Sequence, residues 1–248
     1  MAKTPFKSRV LLDTGISMGD EGKGRLIPEL VRELRISTGK PDPVGAVIKV
    51  NGGANSGHTS GGLKLNLYPA AVTEESVHCL GIGSGVVADP LKFLWEGAYI
   101  EHKGHEFRKR LLIDLRCMVS DLSHRLLDLG WEHYRVHCLQ QEKRGSTGRG
   151  ISPAYTDETS QFAMFFYEFL LDRETFAKRF KARMERALAT LEHVCKVPPE
   201  AFAGFFRTLS DAEVRGNAEL IEAGIRPESE FDFTRFCGGK PFSVDLES

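Results

Sequence analysis

Apolar positions divide the chain into two textures. Up to about residue 155, short apolar runs alternate with amphipathic stretches; beyond it, helical spacing dominates. "RVLLD" (Arg9 to Asp13), "GAVIKV" (Gly45 to Val50) and "RLLIDL" (Arg110 to Leu115) are brief apolar runs that read as buried strands. "LKLNLYP" alternates, as a half-buried strand does, and "HCLGIGSGVV" reads as a strand ending in a glycine turn. "RLIPELVRELRI" places Leu26, Ile27, Leu30, Val31, Leu34 and Ile36 near helical spacing. Pro28 is expected in the first turn, where its missing N–H costs little. "ADPLKFLWEGAYI" predicts a helix with Asp89 as N-cap and Pro90 at the first position. "SDLSHRLLDLGWEHYRVH" predicts an amphipathic helix capped by Ser120 or Asp121.

From Glu158 to Val194 the pattern predicts helix nearly throughout, broken near Asp172. Shorter helices follow, punctuated by Pro198, Pro199 and Gly224. Strand–helix alternation followed by helix alone implies an α/β fold: a mainly parallel sheet forming a P-loop-like nucleotide-binding core, plus a helical subdomain. The division falls at residues 1–155 and 156–248.

Composition narrows the functions. With 248 residues and 41% hydrophobic content the chain can bury a sizeable core. A net charge of −1 gives no electrostatic footprint for nucleic acid or a membrane surface, and neither is expected as a partner. Five cysteines, an odd number with no C-x-x-C pair, point away from zinc knuckles and disulfide frameworks. They suit a reducing, cytoplasmic setting. The apolar run near the N-terminus is too short for a signal peptide, and no window approaches the ~18 apolar residues of a membrane span.

Four glycine-rich loops carry the candidate chemistry. "GISMGDEGKGR" sits between a predicted strand and a helix, where a phosphate loop would. Yet it fails G-x-x-x-x-G-K-[ST], with Ser17 and Gly24 at the deciding positions. Backbone N–H groups from Gly22 to Arg25 and the helix N-terminus can still cradle phosphate, with Lys23 adding charge. Asp20 in such a loop is then a Mg²⁺ ligand or a base; the plain alternative is a solvated turn. "VNGGANSGHTSGG" places His58 among small residues with few packing partners, where chemistry is as good a reading as a structural histidine. "GIGSGVVADP" is as well explained by a tight strand-to-helix turn. "RGSTGRGISPAY" offers Ser146, Thr147 and backbone N–H groups to an anion, and Arg149 for a bidentate phosphate contact, unless it is a linker between the two halves. His133 and His137 stand four apart on the predicted helix, but without H-E-x-x-H a solvated face is the better reading. Phe162, Phe165, Phe166, Tyr167 and Phe169 read as core or dimer contact.

"GDEGKG" at Gly19–Gly24, "NSGHT" at Asn55–Thr59 and "TGRGISPAY" at Thr147–Tyr155, in this order, resemble the hallmark segments of the adenylosuccinate synthetase family. The similarity spans roughly residues 8 to 160. It implies a Mg²⁺-dependent ligase that phosphorylates O6 of a 6-oxopurine nucleotide, usually from GTP, and then joins L-aspartate at C6. By resemblance Asp20 is the catalytic base and a Mg²⁺ ligand, His58 stabilises charge at O6 as the acid partner, and Lys23 touches the transferring phosphate. The Gly57 carbonyl is a second Mg²⁺ ligand, and Asn55 and Thr147 hold the nucleotide, Thr147 at its 5′-phosphate. Gly19, Glu21, Gly22, Gly24, Arg25, Ser56, Thr59, Ser146 and Arg149 complete the implied nucleotide- and phosphate-binding set. A homodimer is implied too.

The departures are specific. Ser56 replaces the family's usual alanine, and "SPAYTDETSQFAMFFYEF" lacks the arginine-rich stretch that normally follows the third hallmark segment and reaches a neighbouring subunit's nucleotide. The later Glu-Gly-Ala-Gln-Gly, aspartate-binding and Thr-Lys-Leu-Asp segments have no counterpart here, so the helical part is expected to continue in a longer native chain. A phage branch resembling this family takes dGMP in place of IMP, accepts ATP-type donors and serves 2-aminoadenine DNA. Small Ser17 or Ser56 would leave room for a 2-amino group; a phage-encoded chain would work in the host cytoplasm. The alternative is a nucleotide-binding module without the aspartate site. An ordinary NTPase or kinase is disfavoured by the failed Walker A pattern.

Overall fold

The computed structural model describes residues 9–14, 22–225 and 232–245. Helix α1 (Lys23–Thr38) is followed by β1 (Ala46–Lys49), β2 (Gly52–Gly53), β3 (His58–Ser60), β4 (Leu63–Leu65), β5 (Cys79–Ile82) and β6 (Val86–Ala88). Then come α2 (Pro90–His102), β7 (Leu111–Ile113), β8 (Met118–Val119), α3 (Leu122–His137) and α4 (Ile151–Thr159). The chain continues through α5 (Arg173–Ala189), α6 (Pro199–Gly216) and α7 (Ala218–Glu222).

Two three-stranded parallel sheets run in the orders β1-β5-β7 and β2-β6-β8. The members of each pair β1/β2, β5/β6 and β7/β8 are consecutive in the chain, so three ribbons run in one direction and each is interrupted at the same level. Gly85 shows why the middle ribbon breaks there: a Cβ on it would lie 2.4 Å from the Val50 carbonyl oxygen. β3 and β4 form an antiparallel hairpin. The α/β fold with a mainly parallel sheet is therefore as the sequence predicts.

Local signals explain most of the elements. The Asp89 carboxylate caps α2 by accepting from the Lys92 N–H, with Pro90 just inside. Asp121, not Ser120, caps α3, accepting from the N–H groups of Ser123 and His124. Leu65, Leu67, Tyr68, Leu80, Val86 and Ile100 are buried in one apolar core beneath the strands. A second core joins Leu126 of α3, Met184, Leu191, Phe202 and Phe206.

Several expectations fail. Residues 9–14 form no strand; Val10 and Leu12 are 76% and 74% exposed. A strand needs a ladder partner, and this segment faces β1 across an open cavity. Pro28 lies at the sixth position of α1, because the helix starts at Lys23; it removes an interior hydrogen bond. "LKLNLYP" pairs only over Leu63–Leu65, and "HCLGIGSGVV" is two strands. Helix is not continuous after Glu158. α4 ends at Thr159, Gln161 takes a positive φ of 62°, and a single 3-10 turn spans Phe166–Leu170 before Asp172 caps α5. The aromatic cluster, expected as core or dimer contact, divides without failing either reading: Phe166 packs on the first core, whereas Phe162 and Phe169 are exposed.

Candidate active site

The turn after β1 is built from glycine and one serine. Gly52 adopts φ 82°, and Ser56 closes the turn by donating its N–H and its hydroxyl to the Gly53 carbonyl, at 2.9 and 3.1 Å. Lys49, the last residue of β1, donates from Nζ to Ser56 Oγ at 3.1 Å. Burial lowers its ammonium below the ordinary lysine value.

His58 opens β3 directly against the N-terminus of α1. A Cβ on Gly24 would lie 2.8 Å from His58 Cβ and 2.9 Å from Cδ2, so the imidazole can pass there because residue 24 has no side chain. His58 Nδ1 faces the Ser56 carbonyl at 3.5 Å. Burial, and then the positive charge of Lys49, push the imidazole below its ordinary value, which keeps it neutral at pH 7. Gly22 caps α1 in a left-handed conformation, φ 75°, with no side-chain cap bond. The first N–H groups of a helix have no partner within it, so this end is suited to an anion.

A cavity of about 2220 Å³ runs past these groups. Gly22, Gly24, Arg25, Asn55, Ser56, Gly57, His58 and Thr59 all line it, together with Lys49. Arg25 is exposed and pairs with Glu29 at 3.2 Å. Buried Glu96 shapes the far wall, accepting from the backbone N–H groups of Asn66, Leu67 and Tyr68. Gly19, Asp20 and Glu21 lie outside the described residues, as do Ser17 and the side chain of Lys23.

A second cavity, about 390 Å³, opens at the N-terminus of α4. Ser146 and Thr147 line it, and so does Asn55, which thereby borders both spaces. The loop reaches α4 through Gly148 and Gly150, both with positive φ; a Cβ on Gly150 would meet Ser120 Oγ at 2.5 Å and His124 Cβ at 2.7 Å. Gly150 donates its N–H to Asp128, and Ser120 donates its hydroxyl to the Arg149 carbonyl.

Arg149 is not on either cavity wall. Its guanidinium bonds Glu213 and lies 3.7 Å from Asp89. Arg125, 2% exposed, joins the same group, bonding Glu213 at 2.7 Å and the Gly148 carbonyl at 3.0 Å. The bidentate phosphate contact expected of Arg149 is replaced by a buried ion cluster that holds the loop from beneath. Beside it, His124 sits between Asp121 and Asp157, at 3.0 and 3.2 Å. Burial opposes the charge there, but the two carboxylates outweigh it and raise the imidazole to about 9.

Lys49 escaped sequence reasoning, because a lysine in an apolar run reads as the solvent face of a strand. Its position six residues before Asn55 was the available signal. The cysteines are all free, as expected.

Glycine-cleared helix N-termini over a parallel sheet, each facing a cavity, define the class: a P-loop-like α/β nucleotide-binding fold. The adenylosuccinate synthetase family profile matches residues 13–216, and the chain belongs to that family. It is 36% identical over 201 residues to adenylosuccinate synthetase of Glaesserella parasuis, covering 79% of this chain and 42% of that protein. To the Azotobacter vinelandii adenylosuccinate synthetase it is 36% identical over 215 residues, covering 85% and 45%. The fold resembles the fully ligated adenylosuccinate synthetase of Plasmodium falciparum, with a TM-score of 0.56 and 22% identity over 92% of this chain and 53% of that one. The chain thus spans less than half the length of the two bacterial relatives. No helix among the described residues is long and apolar enough to cross a membrane.

Proposed function

We propose that this chain carries the nucleotide- and phosphoryl-handling part of an adenylosuccinate synthetase-type ligase, acting on IMP or dGMP with GTP or ATP and L-aspartate. One observation supports this above the others: Asn55 joins two cavities, one bordered by His58 and the α1 N-terminus, the other by Ser146 and Thr147. A nucleotide with its base toward His58 and its 5′-phosphate toward Thr147 spans that junction. The division into a core at 1–155 and a helical subdomain from 156, homodimer formation and a cytoplasmic location belong to the same reading.

In this reading Asp20 takes the proton from purine N1. Electron density moves to O6, which attacks the γ-phosphorus of the triphosphate, and the diphosphate leaves. Lys23 and the α1 N-terminus hold the transferring group. His58, neutral in the free chain, donates an N–H toward O6, and anions arriving beside it raise its proton affinity. The amine of aspartate then attacks C6, and phosphate leaves.

The donor set fits Mg²⁺. Gly57 lines the cavity beside the α1 N-terminus, and its carbonyl with the Asp20 carboxylate offers hard oxygen ligands. When bound, Mg²⁺ offsets the repulsion between carboxylate and phosphate oxygens.

The test is product analysis by mass spectrometry, with aspartate and Mg²⁺, pairing IMP or dGMP with GTP or ATP. A succinyl adduct on IMP alone marks the common substrate; one on dGMP marks the phage-type substrate, with Ser56 at the base site. Nucleotide binding without any adduct would replace the ligase by the second reading, a nucleotide-binding module without the aspartate site.

A further inference from the structure

The larger cavity contains a cation that no acid pairs among the described residues. Lys49 lines the wall at the end of β1, half-buried, and donates from Nζ to Ser56 Oγ at 3.1 Å. Burial lowers its ammonium against the opposing field of Glu96, whose carboxylate is already held by the N–H groups of Asn66, Leu67 and Tyr68. Two neighbours aim the ammonium. Ser56 accepts from Nζ and donates its own hydroxyl to the Gly53 carbonyl at 3.1 Å, so the direction of both bonds is set. A Cβ on Gly52 would lie 2.7 Å from Ser56 Oγ and 3.7 Å from Lys49 Nζ, so the pair occupies space that glycine leaves open. The carbonyl of the same serine faces His58 Nδ1 at 3.5 Å. One residue thus meets the ammonium with its side chain and the imidazole with its backbone. Two of the three ammonium N–H groups have no acceptor among the described residues.

We infer that Lys49 is a further residue of the reacting centre: its ammonium, aimed by Ser56, meets the negative charge that develops on the purine oxygen and the phosphoryl group beside His58. That role rests on the function proposed above; the contact between the amine and an anion entering the cavity does not. An ammonium partly withdrawn from water is costly until an anion arrives, and the cost is offset further as charge builds on the reacting oxygens. The interaction is therefore stronger at the transition state than in the bound ground state. Its loss should fall on turnover more than on nucleotide affinity. Ser56 is the positioning residue of the pair: without its hydroxyl the ammonium keeps its charge and loses its direction.

The experiment has two arms. The first measures kcat and KM with the nucleotide pair that wild type uses, in Lys49→Met, Lys49→Arg, Ser56→Ala and the double variant Lys49→Met/Ser56→Ala, with thermal melting to check that each folds. Lys49→Met should lower kcat about 10-fold and leave the purine-nucleotide KM within about 3-fold of wild type. Lys49→Arg should recover part of the loss. Ser56→Ala should lower kcat by less than Lys49→Met, and should add nothing in the Lys49→Met background. The second arm needs no turnover: acetic anhydride labels lysines in wild type, with and without IMP or dGMP, GTP or ATP, and Mg²⁺, and peptide mass mapping reads Lys49 against exposed Lys40. Bound nucleotide should slow Lys49 acetylation and spare that of Lys40. An unchanged kcat in folded Lys49→Met overturns the proposal. So does a Ser56→Ala effect that persists in full beside Lys49→Met, because the serine then does not act through the ammonium. Absence of any succinyl adduct in wild type removes the ligase reading and leaves the labelling arm to decide: slowed acetylation upholds Lys49 as the anion contact of a binding module, and acetylation unslowed at saturating nucleotide overturns it.

Discussion

The two loops that carry the candidate site are held in opposite ways. The turn from Asn51 to Gly57 is fixed by close fit: Gly24 lets the adjoining His58 pass the α1 N-terminus, and the turn's hydrogen bonds come from Ser56 and Lys49. The loop from Gly145 to Gly150 is fixed from below by charge, through Arg125, Arg149, Glu213 and Asp89, with His124, Asp121 and Asp157 alongside. A steric fit fails by misplacing one group. An ion cluster fails by leaving buried charge unpaired, which costs stability before it costs geometry. The first loop should therefore be sensitive in activity and the second in folding.

The largest expected effect lies in the ion cluster. Glu213→Ala leaves two guanidiniums facing each other in a site Glu213 occupies at 0% exposure, and should cost about 3–5 kcal/mol in urea unfolding. A loss below ~1 kcal/mol would mean that the loop is not held this way. Next, Gly24→Ala should displace His58 and lower product formation by about 100-fold, while costing about 1–3 kcal/mol of stability. In a His58→Gly background the same substitution should lose most of its added stability cost, because both the Cβ and the Cδ2 it meets are gone; an undiminished cost there would put the strain elsewhere.

The pH dependence is smaller and separates the loops by sign. His124 is raised from 6.5 to about 9, so its contribution is complete below 6.5 and is lost as pH climbs toward 9. Asp121 and Asp157 are held below the ordinary 3.8, so their contribution is present above that value and falls away in acid. Melting temperature should decline between pH 6.5 and 9, and His124→Asn should flatten that limb. His58 has the opposite sense: being lowered, it favours the fold above its ordinary 6.5 and works against it in acid. The smallest expected change comes from Lys49→Met. Removing the neighbouring charge should raise the His58 titration midpoint, read by NMR. A midpoint that stays put would remove Lys49 from the electrostatics of the first loop.

What the sequence disclosed follows the same division. Caps and glycines act within a few residues, so Asp89, Asp121 and the first loop of small residues were readable directly. The partners of Arg149 were not: Glu213 lies 64 positions away, and an arginine in a glycine loop looks the same whether it meets phosphate or a buried acid. "RVLLD" has the composition of a strand, but composition does not supply a ladder partner. The break after Thr159 was hidden because Phe162, Phe165 and Phe169 fall at intervals a helix would also allow. The meeting of both cavities at Asn55 depends on tertiary packing and had no local mark.

Pro28 bears on how the first loop moves. With no N–H to give, it leaves the Gly24 carbonyl without the bond that would tie the first turn of α1 to the second, while the N–H groups of Arg25 and Leu26 bond back to Gly22. In hydrogen-exchange terms the helix has a seam. Pro28 removes one of the four i→i−4 bonds that would cross this point, so the turn that meets the cavity should exchange its amides faster than the buried remainder around Val31.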